Sequence, residues 1–198
     1  MNRLFPLFLK LTGRKCLVVG AGEIGELKIA SLLGAGGHVL VIAPHATGKV
    51  KGWARKGEIR WQKRKFRDAD LAARFLVIAA TSSRKLHEKI FRLAKQRGVL
   101  CNVVDVPELC DFYYPAVVRR GSLQVAVSTA GESPALAQRL RKELEAQFGS
   151  EYEDWVAELG KARKRIRAGS RRAAEQKKQL HELASDESFQ KFQKRRKK

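Results

Sequence analysis

Lys15-Cys16-Leu17-Val18-Val19 runs straight into Gly20-Ala21-Gly22-Glu23-Ile24-Gly25, and this junction constrains the fold more than any other stretch. The first part is a short, β-branched apolar run. Beyond the glycines, Ile24, Leu27, Ala30 and Leu33 recur every three residues, the spacing of one helix face. Strand, glycine turn and helix in that order make a dinucleotide site. Gly20 permits the tight turn, Gly22 lets the backbone approach a pyrophosphate, and Gly25 lets the helix pack close to the strand. The pyrophosphate would rest on the unpaired N–H groups and positive dipole end of the helix. The competing reading is a plain strand-to-helix turn.

The chain downstream repeats the alternation. Strands are expected at 38–43, 59–61, 75–80 and 99–104, with helices at 49–56 and 84–97 and a helical turn at 68–73. Gly34 to Gly37 stops the first helix and Gly98 the later one. Alternation of this kind gives a parallel sheet with helices on both faces, and such sheets bind ligands at the carboxyl ends of their strands. The polar residues found there are the glycine loop, Pro44-His45, Thr81-Ser82, and Asn102 with Asp105.

After Cys110 the pattern changes. Residues 112–128 read as two strands around Gly121-Ser122, with Leu123, Val125 and Val127 alternating cleanly. Ser133 is placed as the N-cap of a helix that Pro134 opens and that runs to about Phe148. From Glu151 on, the composition suggests one or two helices and a frayed basic tail. The fold class is therefore α/β, with an N-terminal Rossmann-type parallel sheet (1–111), a small α+β unit (112–148) and a helical basic C-terminal segment (149–198). The apolar segment Leu4 to Leu9 is expected to pack on the core.

The net charge is +21, and residues 161–198 alone carry 15 Lys or Arg against 4 Asp or Glu. Such a field attracts polyanions: nucleic acid, an anionic membrane or a polycarboxylate. No apolar run approaches the ~20 residues of a membrane span. The N-terminus is interrupted by Arg3, Pro6 and Lys10 and has no small-residue cleavage site, which argues against a signal peptide. Cys16, Cys101 and Cys110 are odd in number and lack CxxC spacing, so they read as core thiols of a cytoplasmic protein.

Strand two ends Ile42-Ala43-Pro44-His45, without the acid that commonly holds an adenine ribose. Lys49 and Lys51 nearby leave NAD and NADP both open. Asp105 follows a buried strand at the ligand edge. A partly desolvated carboxylate there serves as a general base or a metal ligand, or else simply caps a turn. The loop Ser128-Thr129-Ala130-Gly131-Glu132-Ser133-Pro134 is either an anion clamp or ordinary helix capping. His38, His45, His87 and His181 are scattered and show no metal-binding spacing.

Together, Cys16-Leu17-Val18-Val19-Gly20-Ala21-Gly22, Ala79-Ala80-Thr81, Cys101-Asn102-Val103-Val104-Asp105, Phe112-Tyr113-Tyr114-Pro115-Ala116 and Val125 to Pro134 resemble the precorrin-2 dehydrogenase family, the N-terminal module of sirohaem synthase. The likeness runs over about residues 3–148. It implies NAD-dependent oxidation of precorrin-2, a tetrapyrrole, to sirohydrochlorin, followed in some members by Fe(II) insertion. It implies a homodimer joined through the strands of 113–128 and the helices after them. It ties catalysis to Asp105, which would also be a transient Fe(II) ligand or base during metallation. It maps cofactor contacts onto Gly20, Gly22, Glu23, Ile24, Gly25, Pro44, His45 and Thr81, and substrate contacts onto Asn102, Ser128, Thr129 and Gly131. Family members typically lack the strand-two acid as well. Two departures touch the nicotinamide end: Ser82 stands where an acid is common, and an Asn is replaced near His87. A membrane partner is not expected. The alternative is a Rossmann regulatory module that binds NAD without catalysis and whose basic tail binds nucleic acid, a partner the family motifs argue against.

Overall fold

The computed structural model describes residues 4–169 and 172–196, which form two compact units, one ending at Tyr113 and the other starting at Tyr114. The first three residues of the apolar N-terminus, including Arg3 where the family likeness begins, and the last two residues of the basic tail lie outside the described residues.

The first unit is built in the order β1 (Lys15–Val19), α1 (Glu23–Gly34), β2 (His38–Ile42), α2 (Gly48–Arg55), β3 (Arg60–Gln62), β4 (Leu76–Ala79), α3 (Arg84–Gln96) and β5 (Leu100–Val103). Short 3-10 turns occupy Asp68–Leu71 and Pro107–Leu109. The strands form one parallel sheet, ordered β3-β2-β1-β4-β5. The order reverses at β1, so β2 and β4 flank it and the glycine turn opens at the switch point.

Successive residues of a strand face opposite sides of a sheet. Val18, Val41 and Ile78 thus join Ile29 and Leu32 of α1 in one core layer, while Leu17, Val19 and Val77 join Ile90 and Ala94 of α3 in the other. With both faces covered, a central strand has no polar side, and all four residues of β4 are buried. Opposite α3, Asp70 is buried under two Arg64 hydrogen bonds, 2.8 Å and 2.6 Å long.

The second unit begins with a hairpin of β6 (Ala116–Arg120) and β7 (Leu123–Val127) around Gly121, whose φ of +55° suits the turn. Helix α4 (Pro134–Gln147) follows, capped by Ser133 Oγ accepting from Leu136 N. Then come α5 (Glu151–Ala168), α6 (Ala173–Leu183) and α7 (Asp186–Arg196).

Three expectations need correction. The segment 4–9 does not pack on the core: Phe5 and Phe8 are 82% and 68% exposed, because Leu11 already closes that end of the layer. Residues 112–115 are not strand, since the Phe112 carbonyl is engaged by the Asn102 amide and Pro115 has no N–H to donate. Among the described residues the C-terminal segment forms three helices rather than one or two, and the last of them reaches Arg196. The Phe189 ring of α7 lies tilted at 4.6 Å from Tyr152 and 4.5 Å from Trp155 on α5, and Phe192 is buried. Arg196 and Arg195 pair with Asp154 and Glu158 at 2.8 Å and 3.4 Å. Among the described residues no helix is long and apolar enough to cross a membrane.

Candidate functional site

Gly20 sits at φ +102°, and a Cβ there would lie 2.1 Å from the Ala80 carbonyl oxygen. Only glycine lets the turn pass that close to the end of β4. A Cβ on Gly25 would lie 2.4 Å from the Gly20 oxygen, so the same economy seats α1 directly on the turn. Gly22 differs. Its Cβ direction meets nothing within 4 Å, and as N-cap it offers no side chain to the first turn of α1. The N–H groups of Glu23, Ile24 and Gly25 therefore border open space at the positive end of a helix, which is what a pyrophosphate needs. The residues present fit a dinucleotide.

The loop after β2 is tied to this turn. Thr47 N donates to the Ala21 carbonyl at 3.1 Å, and Thr47 Oγ1 caps α2 by accepting from Val50 N. Hydrogen bonds from the Thr47 hydroxyl and then from Lys49 hold the Glu26 carboxyl below its ordinary range. Lys49 Nζ lies 3.0 Å from Glu26, so one of the two lysines offered to a 2′-phosphate is already engaged. Pro44 and His45 are exposed at the top of this loop.

After β4, Thr81 Oγ1 shares a 2.9 Å hydrogen bond with Nε2 of His87, which is 5% exposed. Burial pulls the His87 pKa below its ordinary value, and Arg84 adds to the effect. The histidine that departs from the family pattern thus fixes a side chain at the ligand edge.

At β5, Asn102 is buried, and its amide donates to the Phe112 carbonyl at 2.8 Å and toward Cys110 Sγ at 3.4 Å. Cys110 Sγ also receives Val103 N at 3.3 Å, and its single S–H faces the Val103 and Val106 carbonyls at 3.1 Å and 3.3 Å. This knot closes the loop that carries Asp105. The Asp105 backbone stands at φ +59°, a left-handed conformation that costs a non-glycine residue and collects at functional sites. Its side chain is exposed rather than partly desolvated, because β5 ends at Val103 and the loop lifts it clear of the sheet. Lys28, half-buried on α1, had given no signal beyond standing three residues after Gly25. Burial lowers its pKa, while Asp105 and then Cys110 act in the opposite sense, which puts its ammonium near both.

The sheet therefore lines up Pro44-His45, the glycine turn, Thr81 and Asp105 along one edge, in the strand order β2-β1-β4-β5. Three strand spacings of ~4.8 Å make about 14 Å, the reach of an extended dinucleotide. Ser128, Thr129 and Gly131 belong to the second unit. There Ser128 Oγ accepts from Ala130 N and Thr129 Oγ1 from Ser133 N, so the loop's hydroxyls stabilise their own turn, with Ala130 at φ +53° and Gly131 at +91°. Among the described residues no three His, Cys, Asp or Glu side chains gather as a metal site.

A family model described as "Putative NAD(P)-binding" matches residues 7–116, more than half the chain, and one described as "Sirohaem biosynthesis protein central" matches residues 120–147. The chain belongs to the sirohaem synthase N-terminal family. The glycine turn lies within the stretch that the first model matches. The siroheme synthase of Nitrosococcus oceani is 44% identical over 147 residues, covering 74% of this chain and 31% of the relative. That of Methylococcus capsulatus is 40% identical over 162 residues, covering 82% and 34%. The chain thus spans about a third of the length of these family relatives. A solved structure titled "SirC, precorrin-2 dehydrogenase" superposes with a TM-score of 0.80 at 26% identity, covering 96% of this chain and all of that one.

Proposed function

We propose that the chain oxidises precorrin-2 to sirohydrochlorin with NAD as oxidant. The observation that supports this reading is the superposition on SirC, which covers 96% of this chain and all of that one at a TM-score of 0.80.

NAD held on the first turn of α1 would supply the hydride acceptor. The chain's own part is positional and protonic. The first turn of α1 binds the pyrophosphate, and Gly20 and Gly25 set the turn's height above β4. Thr81, fixed by His87, borders the nicotinamide end. Asp105 receives the proton that leaves the macrocycle as the hydride goes to the cofactor, and its exposed carboxylate lets that proton pass on to water. Lys28 adds positive charge beside it for a substrate rich in carboxylates. Ser128, Thr129 and Gly131 serve the substrate's carboxylates through hydroxyl and backbone donors, and Asn102 holds the Asp105 loop in place.

The protein acts as a homodimer joined through β6, β7 and α4, with residues 1–111 as the dinucleotide domain, 112–148 as the dimerisation element and 149–198 as the helical basic segment. It works in the cytoplasm, where the buried thiols of Cys16 and Cys101 stay reduced. Burial raises their pKa values to about 11 and about 12. Fe(II) insertion into the product is the second reaction, with Asp105 as proton acceptor or transient iron ligand.

Anaerobic absorbance of the purified chain with precorrin-2 and NAD tests the reading. A sirohydrochlorin spectrum with equimolar NADH supports it, and NAD binding without turnover overturns it. Adding Fe(II) and comparing the rate of sirohaem formation with a no-enzyme control decides the second reaction. Light scattering decides the dimer.

A further inference from the structure

At the β3 edge of the first unit, an open cavity of about 540 Å³ is lined by Gly48, Lys51, Ala54, Arg55 and Trp61. Three features make it more than a surface fold. Trp61 is fixed: its Nε1 donates to the Ala43 carbonyl at 3.0 Å, so one edge of the indole is tied to the loop after β2 while the ring helps to wall the cavity. Lys51 and Arg55 stand one helical turn apart on the same side of α2, and among the described residues neither side chain has an ion-pair or hydrogen-bond partner. Their neighbours differ, with Lys49 on Glu26, Lys56 on Glu58 and Arg64 on Asp70. Finally, Gly48 and Gly52 project nothing into the space beside them.

Charge on an edge strand often serves only to prevent strand pairing. That explanation suits Arg60 on β3 and does not reach Lys51 and Arg55, which lie on a helix. Two free cations beside an oriented aromatic ring match a ligand with a flat ring and a dianionic group. A single carboxylate is satisfied by the arginine fork alone, whereas a phosphate has the charge and oxygens to engage both an Arg and a Lys. The ring stacks on the indole, as bases do on aromatic side chains. The volume falls in the range of ordinary small-molecule sites.

We propose that this cleft binds a mononucleotide-sized aromatic phosphate at a second site, apart from the dinucleotide turn. The sheet order puts β3 two spacings, or about 10 Å, from the turn after β1, and four spacings, or about 19 Å, from β5 and Asp105.

Calorimetric titration of the full chain with uridine monophosphate, at saturating NAD and low salt, tests this. The pyrimidine nucleotide lacks the adenine that the dinucleotide site would select. One bound nucleotide per chain is expected, with affinity falling at least about tenfold in the Lys51→Gln/Arg55→Gln double variant. The thermal midpoint should be unchanged, since both side chains are exposed and unpartnered. Absence of binding in the presence of NAD, or equal affinity in the double variant, overturns the proposal. Inorganic phosphate binding as tightly as the nucleotide would overturn the role of the indole and with it the aromatic ligand.

Discussion

Replacing Gly22 by Ala should separate cofactor binding from folding. The backbone at Gly22, φ −74° and ψ −170°, is open to alanine, and the added Cβ meets nothing within 4 Å. Two small effects oppose each other in the free protein. Alanine restricts the unfolded chain, worth about 0.4–1 kcal/mol, but is a poorer N-cap than glycine by about as much. The thermal midpoint should therefore move by no more than about 2–4 °C. With cofactor the balance differs, because the methyl group occupies the space through which the pyrophosphate approaches the N–H groups of residues 23–25. Losing one charge-assisted hydrogen bond costs about 1.5–3 kcal/mol, roughly 10- to 150-fold in NAD affinity. Gly25→Ala is the contrast. Its Cβ would sit 2.4 Å from the Gly20 oxygen, a backbone atom, so α1 must lift by roughly half an ångström or more. Overpacking of that kind costs about 1–3 kcal/mol and should lower the midpoint even without cofactor. Circular-dichroism melts without NAD and calorimetric titration with it read the two effects independently. If Gly22→Ala binds NAD as well as the parent, or unfolds as easily as Gly25→Ala, the pyrophosphate does not lie where the open space at Gly22 puts it.

Asp105→Asn should retain NAD and lose turnover, whereas Asp105→Gly should lose turnover and gain up to about 1 kcal/mol of stability by relieving the left-handed backbone; denaturant melts and the NADH assay together check both. His87 makes stability pH-dependent. Its folded pKa lies below the ordinary 6.5, so the unfolded chain takes up the proton first; the contribution is complete above 6.5 and fades as pH falls through the folded value. His87→Gln should flatten that part of the stability–pH curve, and an unchanged slope would exclude His87 as its source. Phe192→Ala removes a ring that is 3% exposed, a loss of about 3–5 kcal/mol if the void stays open. Hydrogen exchange should then show α7 amides unprotected while the parallel sheet keeps its protection.

The β1–turn–α1 unit was legible because its determinants are local: apolar spacing, then glycines at fixed offsets. Ser133 was readable as a cap for the same reason, and its Oγ does accept from Leu136 N. The knot around Asp105 was not. Nothing near Cys110 in the chain indicates that its thiol bonds back to Val103, or that Asn102 reaches Phe112 ten residues on. Those are consequences of β5 and its return loop meeting in space. Lys28 escaped for a related reason, since a lysine on an amphipathic helix ordinarily points to water. The tail misled by composition. Its cations suggest a solvated end, yet Phe189 and Phe192, three apart, form the seam that docks α7 on α5. In the loop of residues 128–133, the Ser128 and Thr129 hydroxyl oxygens accept from the turn's own N–H groups, contacts that spacing alone does not disclose.

The stapling of the loop after β2 bears on timing. Thr47 N on Ala21, the Thr47 hydroxyl and Lys49 on Glu26, and the Trp61 indole on Ala43 fix that loop from three sides before any nucleotide arrives. A ligand reaching this side has little chain left to order, so little conformational entropy is surrendered on contact. Encounter then becomes nearly a matter of diffusion and orientation, and differences in affinity among dinucleotides should show up in how long each one stays.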